Sequence, residues 1–135
     1  MKISEIQIRV RYAETDQMGV VYHGNYAAFF EMGRTEWLRN QGVTYKELEE
    51  MGVMMPVVSL TMNYKKPARY DDLLTVRTIL KSQDGVKIEF DYEIYNEAQQ
   101  LLTTGYSMLV FVDMKTGKPT LPPAFIKLRV DEVLK

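Results

Sequence analysis

The stretch RYAETDQMGVVYHGNY, Arg11 to Tyr26, joins a strand pattern to a helix pattern. Upstream, Ile6, Ile8 and Val10 alternate with Glu5, Gln7, Arg9 and Arg11, the period of a half-buried strand. Downstream, Tyr26, Phe29, Phe30, Gly33 and Trp37 recur at spacings of three and four, on one face of a helix. Glu31, Arg34 and Glu36 fall largely off that face. Asn25 reads as the N-cap and Gly42 as the stop. Between strand and helix lie Asp16, in a Thr-Asp-Gln-Met-Gly turn, and His23, the only histidine. A chain that turns and then enters a helix presents unpaired N–H groups of partial positive charge, a natural place for chemistry.

Working outward, Thr44 to Met51 reads as a short helix with a Thr44/Glu47 capping box, stopped by Gly52. Strand patterns follow at Val57–Tyr64, Leu73–Lys81, Val86–Tyr95 and Leu101–Val112. Lys66-Pro67-Ala68 ends the first of these, because proline cannot donate to a ladder. Arg69 to Asp72 and Asp84-Gly85 are turns, and Pro122-Pro123 opens a C-terminal helix. The sum is a single α+β domain over residues 1–135, with four strands meandering after one long helix. Apolar residues on both faces of Leu101–Val112 point to a sheet edge or face that meets a second subunit.

Composition excludes several classes. A chain of 135 residues with net charge −1 carries no basic excess, so nucleic acid is not an expected partner. With no cysteine there are no disulfides and no thiolate chemistry, and with a single histidine any metal site would be built mostly from oxygen ligands. No metal or cofactor is expected. The N-terminus alternates instead of forming an apolar signal, and no stretch approaches the ~20 apolar residues of a membrane span. A soluble, cytoplasmic protein is the expectation.

Other motifs fail on their own chemistry. Gly105-Tyr-Ser107 lacks the second glycine of a nucleophile elbow, and Gly117-Lys118 lacks the upstream glycine of a phosphate loop. Asp16 itself has two readings. It is either a turn aspartate bonding its own backbone or a carboxylate poised for catalysis. His23 at a helix start makes a poor general acid, because the dipole disfavours imidazolium, so its backbone N–H is the more useful group.

Taken as one pattern, Tyr12-x-x-Thr15-Asp16-x-x-Gly19-Val20-Val21-Tyr22-His23-x-Asn25-Tyr26 closely resembles the motif of the hot-dog-fold acyl-CoA thioesterases, the 4-hydroxybenzoyl-CoA thioesterase family. Pro67-Ala68-Arg69-Tyr70-Asp71-Asp72-Leu73 resembles a second segment of that family, and the order of elements agrees over nearly the whole chain. The resemblance implies an antiparallel sheet wrapped round one long central helix. It also implies edge-to-edge homodimers, often paired into homotetramers, with active sites at the interface. Asp16 matches the catalytic carboxylate, as general base or nucleophile, and the His23 N–H matches the group that polarises the thioester carbonyl. Tyr22 and Asn25, within the motif, are expected beside the substrate. Lys65, Lys66, Arg69 and Lys87 are candidate contacts for the phosphates of an acyl-CoA. The turn Ser82 to Lys87 carries one cation where the aromatic-specific enzymes carry a basic run, so a general acyl-CoA or acyl carrier protein thioesterase is favoured. The alternatives are a hydroxyacyl-thioester dehydratase and a non-catalytic acyl-CoA-binding regulator.

Overall fold

The computed structural model describes residues 2–135. Strand β1 (Ile3–Arg9) leads through 3-10 turns at Tyr12–Glu14 and His23–Asn25 into α1 (Tyr26–Asn40) and then α2 (Tyr45–Glu50). The strands β2 (Val53–Met54), β3 (Val57–Tyr64), β4 (Leu73–Asp84), β5 (Lys87–Tyr95), β6 (Leu101–Val110) and β7 (Val112–Asp113) follow, and α3 (Ala124–Leu134) closes the chain.

The main sheet is antiparallel in the order β1-β4-β5-β6-β3, with β2 and β7 as a separate small pair. This corrects the simple meander. β4, β5 and β6 are sequential neighbours, whereas β3 lies at the far edge against β6. The Lys66–Asp72 connection therefore crosses one end of the sheet. It is pinned there by Val21 N–H donating to Ala68 O at 2.8 Å and Asp71 N–H donating to Val10 O at 3.0 Å. Those bonds tie the crossover to the loop that carries Asp16 and His23.

The apolar stripe on α1 buries Tyr26, Phe29, Phe30, Gly33 and Trp37 against the inner face of the sheet. Phe30 stacks on Tyr92 at 4.5 Å between ring centroids, and Trp37 meets Phe90 edge-on at 5.1 Å. Two glycines set how closely helix and sheet approach. A Cβ on Gly33 would lie 2.5 Å from Thr78 Oγ1, and one on Gly105 would lie 2.4 Å from the Phe30 ring. The helix stops at Gly42, whose φ of +90° favours glycine.

Three further expectations need correction. Asn25 does not cap α1 with its side chain, because a 3-10 turn precedes the helix and that side chain is used elsewhere. Arg34 is buried, held by two phenols that the helical pattern gave no sign of. The apolar residues of β6 are mostly explained within the chain, since β6 has a strand on each side and buries Leu102 and Leu109. The two edge strands are β1 and β3, and on β3 Val57, Val58, Leu60 and Tyr64 are all 42% or more exposed.

Gly105→Ala places a methyl group against a buried ring that is itself stacked on Tyr92 and has nowhere to retreat. The expected cost is about 1–3 kcal/mol, seen in urea denaturation as a lower midpoint with an unchanged slope.

Candidate active site

The loop between β1 and α1 is shaped by its own backbone. Asp16 N–H donates to Val20 O at 2.9 Å and Gly19 N–H to Asp16 O at 3.0 Å, with Gly19 at φ +78°. Asp16 Oδ1 accepts from Met18 N–H at 2.9 Å and more weakly from Val20 N–H at 3.4 Å. The turn reading of Asp16 thus holds for one carboxylate oxygen. No donor among the described residues reaches the other, Oδ2. One oxygen anchors the side chain, and its twin stays available.

Glu14 O is the second organising point. It accepts from Tyr22 N–H at 2.9 Å and from Asn25 Nδ2 at 2.8 Å, clamping the segment on both sides of His23. Glu14 is held in turn by Arg11, whose side chain and backbone N–H both bond the carboxylate. Burial raises the Glu14 carboxyl, but the Arg11 hydrogen bonds and charge outweigh it and leave the group below its ordinary 4.5. Asn25 therefore positions the turn from within the loop.

His23 opens the 3-10 turn ahead of α1, and no acceptor among the described residues meets its backbone N–H. The Tyr22 ring lies 4.4 Å from the His23 ring and covers the next residue. A Cβ on Gly24 would sit 2.7 Å from that ring, so a larger residue there makes the half-exposed Tyr22 ring move aside. Tyr64, from the end of β3, donates its hydroxyl to His23 O at 3.2 Å and packs on Tyr26 at 5.4 Å.

Asp16 and His23 line one cleft of about 300 Å³, together with Tyr26, Tyr64, Lys65 and Lys66. Lys65 and Lys66 supply positive charge at the same opening as the Asp16 carboxylate. Arg69 bridges to Val20 through its backbone and stays exposed, outside the cleft lining. Lys87 is not brought to this cleft by its own subunit. It pairs with Val110, while Tyr64 pairs with Thr103, so the two lie about 23 Å apart along β6 at the usual rise per residue. Tyr64 escaped the sequence reading as a site residue, because a tyrosine closing an alternating strand carries no signal of what it faces.

The Thioesterase-like superfamily matches residues 10–130 of this chain. YneP of Bacillus subtilis is 42% identical over 119 residues, which span 88% of this chain and 86% of that protein. The Escherichia coli protein named acyl-CoA thioester hydrolase YbgC is 38% identical over 119 residues, 88% of this chain and 89% of its own. Among solved structures, a DHNA-CoA thioesterase from Staphylococcus aureus superposes with a TM-score of 0.95 at 36% identity, over 99% of this chain and 92% of that one. The antiparallel sheet with a long helix on its face is the hot-dog arrangement that the motif implied. This chain belongs to the thioesterase-like superfamily, and it is a thioester hydrolase.

Proposed function

We propose that Asp16 and the His23 N–H carry the hydrolysis, with the thioester lying across the cleft between them. The observation that carries this reading is that Asp16 Oδ2 and the His23 N–H, both without a partner among the described residues, belong to residues lining one cleft. The thioester oxygen gains negative charge in the transition state. A fixed amide in the 3-10 turn that leads into the fifteen-residue α1 stabilises it without reorganising. Asp16 either takes a proton from the attacking water or attacks the carbonyl carbon itself to form an anhydride that water then opens. In both routes the carbon–sulfur bond breaks and the thiolate leaves without needing a strong acid. Lys65 and Lys66 attract the phosphates of the carrier, coenzyme A or an acyl carrier protein.

The active unit in this reading is a homodimer, or a pair of such dimers, formed along the outer edge of β3. That edge leaves a row of backbone groups without a strand partner and exposes Val57, Val58 and Leu60. A second copy satisfies both. The working compartment is the cytoplasm, where acyl-CoA is at hand.

Asp16→Asn keeps the Oδ1 acceptor that holds the loop but removes the negative charge. Turnover of an acyl-CoA panel, followed by thiol release, is expected to fall by roughly two to four orders of magnitude while the circular dichroism spectrum is unchanged. His23→Ala retains the amide and is expected to cost less. Equal activity of Asp16→Asn and wild type overturns the assignment. Leu60→Lys sets like charges across the β3 edge. Light scattering is expected to show its dimer dissociating at concentrations where wild type stays associated, with hydrolysis falling in parallel. A monomeric, fully active wild type sinks the edge-paired reading.

A further inference from the structure

Tyr64 reaches the turn ahead of α1 from outside the loop that carries it. It is the last residue of β3, and its hydroxyl donates to His23 O at 3.2 Å. That carbonyl also accepts from Tyr26 N–H, so two donors meet on one oxygen. The hydroxyl lies 3.1 Å from Met62 Sδ as well, but it has a single proton and the carbonyl is the stronger acceptor. The ring is held apart from this bond, packed on Tyr26 at 5.4 Å and edge-on to the His23 ring at 6.4 Å. The Asp16 turn does not depend on the contact, since its own backbone bonds close it.

His23 O and the Gly24 N–H are the two ends of one peptide group. A carbonyl that accepts two hydrogen bonds polarises its peptide and makes the N–H at the other end a better donor. The Gly24 N–H meets no acceptor among the described residues, like the His23 N–H one residue before it. The bonds of this turn begin with Asn25 N–H to Tyr22 O, at 2.9 Å, and Tyr26 N–H to His23 O. The two N–H groups ahead of them are left over. His23 lines the cleft with Asp16 and Tyr64, and the Gly24 N–H follows it by one peptide.

We infer that Tyr64 is a positioning residue for carbonyl polarisation, and that the Gly24 N–H it strengthens joins the His23 N–H as a second donor to the thioester oxygen. This rests on the hydrolysis reading above. Negative charge on that oxygen grows in the transition state, so a second donor acts on turnover more than on binding. Tyr64 is 52% exposed, and a thioester lying in the cleft it lines covers it. Excluding water there strengthens the bond to His23 O when it is needed.

The test is Tyr64→Phe, which keeps the ring contacts and removes the hydroxyl. On an acyl-CoA panel followed by thiol release, kcat is expected to fall about tenfold. KM is expected to stay within about twofold. Affinity for an S-alkyl-CoA, a thioether with no carbonyl, is expected to match wild type, as are the circular dichroism spectrum and light scattering. Replacing Gly24 by glycolic acid through chemical ligation of the full chain turns its N–H into an ester oxygen. That N–H has no acceptor within the subunit, so the fold is expected to survive while kcat falls by at least about tenfold. Adding Tyr64→Phe to the ester is expected to lower kcat by no more than about a further twofold, because the hydroxyl acts through the missing group. Unchanged kcat in Tyr64→Phe, a loss confined to KM, or the full loss repeated in the ester background overturns the proposal. If Asp16→Asn is fully active, the hydrolysis reading has failed. If it is inactive while Tyr64→Phe turns over like wild type, only the Tyr64 inference has failed.

Discussion

The close approach of α1 to the sheet is the constraint on which the site depends. Gly33 admits Thr78 and Val76 from β4, and Gly105 admits the Phe30 ring over β6, so the helix lies flush across strands that are far apart in sequence. A side chain at either glycine meets another atom well inside contact distance. Once the helix is seated, its first turn has one position, above the end of the sheet where β3 finishes and the Lys66–Asp72 crossover passes. The His23 amide, in the turn that leads into this helix, is positioned from beneath by that packing.

The loop above uses the same economy of groups. A single carbonyl, Glu14 O, holds both the Tyr22 amide and the Asn25 side chain, and Arg11 fastens Glu14 from outside. One oxygen of Asp16 is spent on the turn while its partner stays free. Catalytic and structural readings of that residue are therefore two halves of one carboxylate. A loop that met every donor internally would be more stable and inert. This one leaves Asp16 Oδ2 and the His23 N–H unmet among the described residues.

Buried Arg34 and the bare edge of β3 show incompleteness on a larger scale. A guanidinium with two neutral partners and a strand with one neighbour both carry an electrostatic or hydrogen-bonding cost. They lie at the same border of the molecule, next to the exposed apolar residues that open β3.

Much of this was legible in the residues. Strict alternation in β1 and β5 and the three-and-four spacing of α1 are local periodicities, and each demands one secondary structure whatever surrounds it. The turn glycines Gly19, Gly42 and Gly85 adopt positive φ where their neighbours in sequence required it. The Tyr12–Tyr26 motif carried its chemistry in order along one short loop, so its reading needed no long-range contact. What pattern could not supply was partnership. That β3 leaves β4 and crosses to β6, that Arg34 turns inward to Tyr45 and Tyr92, that Tyr64 caps His23, and that Lys87 lies a sheet's length from the cleft all depend on pairings between distant segments. Alternation tells a strand which face is buried but not which strand lies beside it, because every backbone edge offers the same donors and acceptors. The sequence by itself determined the elements and the loop that carries Asp16 and His23. Only tertiary packing chose the neighbours, since that choice is made by the fit of whole faces around Gly33 and Gly105.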